Sequence, residues 1–335
     1  MGPQFVDFDA DGHTDIVTAT FEGHAFVVRG SETGWQQPEH ILDAAGAPIG
    51  IGLYYDMEAN EYRHVGQKEG EEVDYSAPHC VSAVAFDWDA DGDLDLLLGS
   101  KDEGGLYLRL NQGTATAPAF VSTNRRVEAG GQPLAVPGGL TAPRLVDWNA
   151  DGLTDLVCGS FEGGVYLYLN TGAVGAPAFA APRALVTPKS TEGSASRPEE
   201  GAYVDVLDHD GDGDLDLVVG AYHTVRPTAR ALSPAEQAEL ATLDAELEQV
   251  EAAYQAFWND IFEKMGELDE EAGNELLERA DSLPEAVELE ARLQSLTERV
   301  EALRPASKRT SGVWLFLQES PATEDAAPTG ADSGR

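Results

Sequence analysis

Apolar positions along most of this chain come in short runs closed by turn residues. The clearest are Ile16–Thr20, Leu96–Ser100, Leu156–Ser160 and Leu217–Ala221. Runs this short, rich in β-branched and aliphatic residues, read as buried strands rather than helices. Each is preceded by another short strand, as at Leu145–Trp148. Three are followed, after a turn such as Phe161-Glu-Gly-Gly164, by an alternating strand: Val165–Leu169, Leu106–Leu110 and Ala25–Val28. Outer strands are expected at Pro38–Ala44, Ala119–Val127 and Ala178–Val186. After Tyr222 the next alternating strand is displaced far downstream, to Val313–Gln318.

Between them the period changes. Ser233-Pro-Ala-Glu236 is a capping box with Pro at the first helical position. Leu240, Leu243, Leu247, Val250, Tyr254, Phe257 and Ile261 then recur three and four apart, and a return seam runs Leu289, Leu293, Leu296, Val300, Leu303. Pro284 and Pro305 bound that second seam. The expectation is an antiparallel helical hairpin over 231–305, with a less regular helical stretch near Leu268–Asp281.

The first two strands of each unit are joined by an acidic loop. Asp87-Trp-Asp-Ala-Asp-Gly-Asp-Leu-Asp95 has acids at positions 1, 3, 5 and 9 and Gly at 6, and it recurs at Asp7–Asp15, Asp147–Asp155 and Asp208–Asp216. Alternate residues of a tight loop point inward, so their oxygens can reach one hard cation, which needs six to eight such ligands. The side chains in question are Asp7, Asp9, Asp11 and Asp15; Asp87, Asp89, Asp91 and Asp95; Asp147, Asn149, Asp151 and Asp155; and Asp208, Asp210, Asp212 and Asp216. Position 7 (His13, Asp93, Leu153, Asp214) is placed to add its main-chain carbonyl. Asn149 keeps an oxygen but lowers the charge of its loop. An EF-hand is excluded, because its position-12 Glu is replaced by Thr18, Leu98, Cys158 and Val219.

The first acids fall at 7, 87, 147 and 208, so the steps are 80, 60 and 61. A period near 60 fits one four-stranded propeller blade. The fold expected is all-β, a propeller of four visible blades over 1–230, with the helices inserted in the last blade, a return strand at 306–320 and an acidic tail at 321–335. The long first step places an insertion at 53–74, where Tyr54, Tyr55, Tyr62, Arg63 and His64 form a candidate ligand or glycan site.

The loop, the apolar strand after it and the Gly-Gly-Val-Tyr-Leu-Tyr-Leu-Asn strand resemble the FG-GAP/VCBS repeat family over roughly residues 5–222 and 311–318. The resemblance implies a calcium-binding β-propeller like the integrin α-subunit head, with up to four Ca²⁺, one per loop. The family hosts adhesion modules, lectins and some polysaccharide lyases, so it does not settle one function. Its rings commonly have about seven blades; four are visible here, so a compact ring, an open arc, part of an oligomer or a truncation are all open.

Composition narrows the partners. The net charge of −39 argues against nucleic acid and anionic membrane surfaces. No run approaches the ~18 apolar residues of a membrane span. Cys80 and Cys158 hold non-equivalent repeat positions, which leaves a disulfide and free thiols equally open. Phe5 already begins a strand, so no leader is read; weak multi-carboxylate loops suit millimolar calcium, and the expected location is extracellular, cell-surface or periplasmic, in a processed form or fragment.

The first functional expectation is a non-catalytic module binding a protein or glycan. The runner-up is a polysaccharide lyase, with His64, Tyr62 and Arg63 or His223, Tyr222 and Arg226 as its base and cation. The acidic surface would repel polyanionic uronates, and no nucleophile elbow, phosphate loop or Cys-x-x-Cys is present. A third is a scaffold that oligomerises through the helical hairpin or open blade edges.

Overall fold

The computed structural model describes residues 2–68, 70–188, 197–225, 227, 230–266, 268 and 270–318. The expected acidic tail and Arg226 lie outside the described residues. The chain divides into two compact units, Met1–His223 with Thr310–Arg335, and Thr224–Arg309.

The first unit is a succession of antiparallel sheets whose strands pair in chain order. Sheet one is β1 (Gln4–Val6), β2 (Asp15–Ala19), β3 (Ala25–Val28) and β4 (Glu39–His40). The 53–74 insertion forms a two-stranded ladder, β5 (Leu53–Asp56) with β6 (Glu61–His64). Sheet two is β7 (Cys80–Phe86), β8 (Asp95–Ser100), β9 (Leu106–Arg109) and β10 (Arg125–Arg126). A small ladder of β11 (Glu128–Ala129) and β12 (Gln132–Pro133) turns at Gly130 and Gly131, both at positive φ. Sheet three is β13 (Ala142–Val146), β14 (Asp155–Gly159), β15 (Val165–Tyr168) and β16 (Arg183–Val186). The last sheet is β17 (Glu200–Leu207), β18 (Asp216–Val225) and β19 (Lys308–Phe316), so the displaced third strand does return.

The strands after the second and third loops, β8 and β14, are apolar on both sides because each feeds two cores. Leu96 and Leu98 join Val17, Val27, Ile41 and Phe120 in one cluster between sheets one and two. Leu97, one residue out of phase, joins Leu156, Cys158 and Tyr168 in the cluster between sheets two and three. Val157 then faces Val204, Val219 and Trp314 of the last sheet. Period-2 alternation thus sends neighbouring residues into different cores. Among the described residues, no such cluster joins the last sheet to the first. Cys80 and Cys158 are both buried and free; burial pushes the Cys80 thiol up to about 12.

The outer strands are shorter than expected from sequence. Of Ala119–Val127 only Arg125–Arg126 pairs with β9, and of Ala178–Val186 only Arg183–Val186 pairs with β15. The earlier halves instead follow directly on Pro118 and Pro177 and insert Phe120 and Phe179, bridged to Asn111 and Asn170, into the cores. A proline has no amide to donate to a ladder, so pairing is delayed.

In the second unit α1 (Pro234–Gly266), α2 (Glu270–Ala280) and α3 (Pro284–Leu303) follow one another. The capping box forms as read: the Glu236 amide donates to Ser233 Oγ at 3.3 Å, and the Ser233 amide donates to Glu236 Oε2 at 2.8 Å. Leu243, Val250, Leu296 and Val300 are buried in the shared seam of α1 and α3, with Leu240, Leu247, Leu289, Leu293 and Leu303 against them. Tyr254 and Phe257, also expected in that seam, stack on Trp258 instead, at 6.1 and 5.5 Å between ring centroids. The reason is length: α3 has 20 residues against 33 in α1, and α2 packs on α1 as well.

Sheets two, three and four approach so closely that a glycine is required on β8 and β14. A Cβ on Gly159 would sit 2.0 Å from the carbonyl oxygen of Ala202, and one on Gly99 1.8 Å from that of Thr141. The same approach allows Ser160 and Ala202, and Ser100 and Thr141, to hydrogen-bond through their main chains. Gly220 holds the equivalent position on β18, where the nearest atom is 4.0 Å away. Gly159→Ala is therefore expected to cost about 1–3 kcal/mol by overpacking, and Gly220→Ala much less. Chemical denaturation of both variants checks this; equal losses would contradict the close approach.

Candidate metal loops

Each loop leaves the end of one strand and enters the next through two left-handed residues. Position 4 is Ala10, Ala90, Ala150 or Gly211, at φ 53°, 58°, 56° and 78°. Position 6 is always Gly, at φ 90°, 94°, 86° and 94°. An alanine in this region costs roughly 1–2 kcal/mol, so something must hold the turn. The first acid does: Asp7 accepts from the amides of Asp11 (3.1 Å) and Gly12 (3.0 Å), Asp147 from Asp151 (3.0 Å) and Gly152 (2.9 Å). Asp87 accepts from Gly92 at 3.2 Å, and Asp208 from Gly211 at 2.7 Å and Gly213 at 3.2 Å. The acid at position 5 accepts from the amide of position 7 in all four loops, at 2.8–3.0 Å.

These bonds turn the remaining oxygens toward one another. Asp7, Asp9 and Asp15, then Asp87, Asp89 and Asp91, then Asp208, Asp210 and Asp216, bring carboxylate oxygens within 4.8 Å. The third loop forms no such trio among the described residues; Asn149 uses its amide to donate to Asp151 Oδ2 at 2.9 Å. Oδ1 of Asp9, of Asp87 and of Asp93 are buried without a hydrogen-bond partner. An oxygen-only donor set with unpartnered buried oxygens suits a hard divalent cation. Burial first, and then the charges of Asp91, Asp89 and Asp87, push the Asp93 carboxyl up. Asp93 is buried, 6 % exposed, beside the Asp87, Asp89 and Asp91 trio.

Loop one has a feature the others lack. Arg29, where the equivalent residues are Leu110, Leu169 and Leu317, pairs with Asp9 through Nη1 and donates to Glu39 at 2.9 Å through Nε. One charge of that loop is already compensated by the protein.

The position-9 acids carry a second role that sequence reading missed. Asp15 accepts from the amides of Phe8 (2.9 Å) and Gly30 (2.7 Å). Asp95 accepts from Trp88 (2.9 Å) and Asn111 (2.6 Å), and Asp155 from Trp148 (3.0 Å) and Asn170 (2.6 Å). Asp216 accepts from His209 (2.8 Å) and, across the whole helical insertion, from Gln318 (2.9 Å). In every copy one carboxylate thus joins the start of the loop to the end of the third strand. Burial pushes Asp95 up to about 6 and raises Asp155, whereas Asp216 is lowered, chiefly by the Gln318 amide. The repeated amide residue after the third strand was the available signal: Asn111 Oδ1 accepts from Gly113 and Ala119, and Asn170 Oδ1 from Gly172 and Ala178.

Residues 147–219, from the first acid of the third loop into the strand after the fourth, match the family model of the FG-GAP-like repeat. The chain carries FG-GAP-like repeats. No curated protein matches it. The two FG-GAP-like loops inside the matched segment share with the two that precede it the left-handed residues at positions 4 and 6, the bond from the position-7 amide to the position-5 acid and the two amides on the position-9 acid.

The insertion between the first two repeats places the aromatic candidates on β5 and β6. Tyr55 and Tyr62 pack edge to face at 5.0 Å, and Tyr62 lies 6.0 Å from Tyr75. Arg63 is held by Asp56 (3.2 Å) and Glu61 (2.9 Å), and His64 Nδ1 accepts from the Asp74 amide at 3.2 Å. Tyr54 and Arg63 line a cleft of about 800 Å³ together with Gln67, Lys68, Glu71 and Tyr75; Tyr55, Tyr62 and His64 do not line it. Of the other set, His223 packs on Trp314 at 5.3 Å, and Tyr222 sits across from Glu200 in the β17–β18 ladder.

The staple and the cation separate experimentally. In EDTA, Asp155→Ala is expected to cost on the order of 2–4 kcal/mol, because it orphans two buried amides at about 1–3 kcal/mol each. Asp151→Ala, which removes an exposed acid, should stay within about 1 kcal/mol. Urea denaturation of both without metal checks this, and equal losses would remove the structural role of position 9.

Proposed function

We propose that the protein is a non-catalytic, calcium-binding recognition module that acts outside the cell on a protein or glycan. Its repeats are read as four blades of a β-propeller, with the helices as an antiparallel hairpin inserted in the last. One observation carries the proposal: a loop of oxygen donors repeated four times, which gathers three carboxylates in its first, second and fourth copies and leaves buried carboxylate oxygens unpartnered in its first and second. Positions 1, 3, 5 and 9 supply side chains to the Ca²⁺ and position 7 a carbonyl. The ion offsets the mutual repulsion of the acids and holds the left-handed alanines in place.

The loops are not equal in this reading. The second and fourth gather three carboxylates each without a competing cation, so they bind tightest. Arg29 weakens the first, and Asn149 the third. Each ion is enclosed by a single loop, which leaves little open coordination for chemistry. The recognition surface is the cleft beside β5 and β6, where Tyr54 and Tyr75 offer aromatic faces and Arg63, Gln67 and Lys68 offer donors. A sugar ring or a peptide suits that mixture.

Ions bound only to the folded state stabilise it by mass action, about 2.7 kcal/mol per site at a hundredfold excess over Kd. Adding Ca²⁺ to chelated protein is therefore expected to raise the melting temperature by several degrees, and Asp91→Ala to reduce that gain more than Asp151→Ala. A melting curve indifferent to EDTA would sink the calcium assignment. A glycan array and a pull-down with Tyr54→Ala and Arg63→Ala address the cleft; retention of every ligand by both variants would remove it as the recognition surface.

A further inference from the structure

A second cluster of ligating side chains lies outside the acidic loops and differs from them in chemistry. Glu22 sits in the turn between β2 and β3, His24 immediately before β3, and His40 on β4 opposite Phe26. Glu22 Oε1 lies 3.3 Å from His24 Nδ1 and 2.7 Å from His40 Nε2. The two imidazole rings are 5.3 Å apart and nearly perpendicular, and one ligand atom from each of the three residues falls within 4.8 Å of the others.

We propose that Glu22, His24 and His40 form a three-ligand site for a borderline transition-metal ion of the Zn²⁺ class. Bonds of 2.0–2.1 Å in a tetrahedral site set ligand atoms about 3.3–3.5 Å apart; the Glu22–His24 separation of 3.3 Å already matches, and the 2.7 Å between Glu22 and His40 must widen by less than 1 Å. Two imidazole nitrogens and one carboxylate suit Zn²⁺ and its neighbours, whereas Ca²⁺ seeks six to eight oxygens. The fourth position opens to water on the side of His40, whose side chain is 39 % exposed against 9 % for His24.

The surroundings hold these side chains in place. His24 is covered by the Tyr54 ring at 4.5 Å. The Tyr55 amide donates to the Glu22 carbonyl at 2.6 Å, and His79 Nε2 bonds the Phe21 carbonyl of the same turn at 2.7 Å. Gly23, at φ 104°, lets the turn meet the insertion: a Cβ there would lie 2.6 Å from the Leu53 carbonyl oxygen. A metal ion at this point joins the β2–β3 turn to β4, on the turn where the insertion docks. It therefore stiffens the base of β5 and β6.

The test uses the full chain, stripped with EDTA and then saturated with Ca²⁺ so that the oxygen loops are filled. Titration with Co²⁺, the spectroscopic stand-in for Zn²⁺, is expected to give one equivalent with intense tetrahedral ligand-field bands that added Zn²⁺ abolishes. His40→Ala and Glu22→Gln, each checked for unchanged melting in Ca²⁺ alone, should weaken binding at least about ten-fold, the range seen even for supporting residues of metal sites. Absence of the bands in the parent protein would overturn the site. Equal Co²⁺ affinity in either variant that retains its fold would do the same.

Discussion

The structure of the repeat unit depends on one buried carboxylate that accepts two main-chain amides. In Asp15, Asp95, Asp155 and Asp216 one oxygen takes the amide at loop position 2, and the other takes the amide that ends the third strand. Burying a charge is unfavourable unless it is paired or hydrogen-bonded. Burial pushes the carboxyl groups of Asp95 and Asp155 above the usual carboxylate range even with both amides in place. The interaction therefore specifies more than it stabilises. A strand shifted by one residue would leave a carboxylate and two amides unpaired at once, so only one register of three strands is acceptable.

That constraint explains how four acids can be crowded into nine residues. Two like charges 4 Å apart at the surface repel by about 4 kcal/mol at an effective dielectric of 20. The loop tolerates this because its acids divide the work. Positions 1 and 5 accept amides of their own turn, position 9 braces the strands, and the oxygens left over face a common centre. Arg29 shows the protein meeting the same electrostatic demand from within, at the loop where a cation directly follows the third strand and pairs with a loop acid.

The loops were legible in the sequence because their acids and their glycine recur in one fixed register in all four copies. The two-faced strands were legible for a similar reason: Leu96, Leu97 and Leu98 could be apolar together only if both sides were buried. What escaped was set by long-range packing. Phe120 and Phe179 leave the expected outer strands to fill cores, which no local pattern announces. The second role of Asp155 required knowing where Asn170 returns. Glu22, His24 and His40 follow no metal-ligand spacing, and only the pairing of β3 with β4 brings them together.

The two insertions test how little the repeat needs from the chain between its parts. One adds β5 and β6 after the first sheet; the other places three helices between β18 and β19. Loop-closure entropy grows only logarithmically with length, by about 0.6 kcal/mol for each doubling. An insertion is therefore tolerated if its ends return to adjacent positions. In the last sheet β19 pairs with β18, and the Gln318 amide still reaches Asp216 across 102 residues of separation. A side chain that recognises backbone rather than another side chain imposes no sequence identity on its partner. Gly30, Asn111, Asn170 and Gln318 serve equally well. The repeat can in this way keep its acidic loop fixed while the segments between its strands are replaced by structure of a different kind.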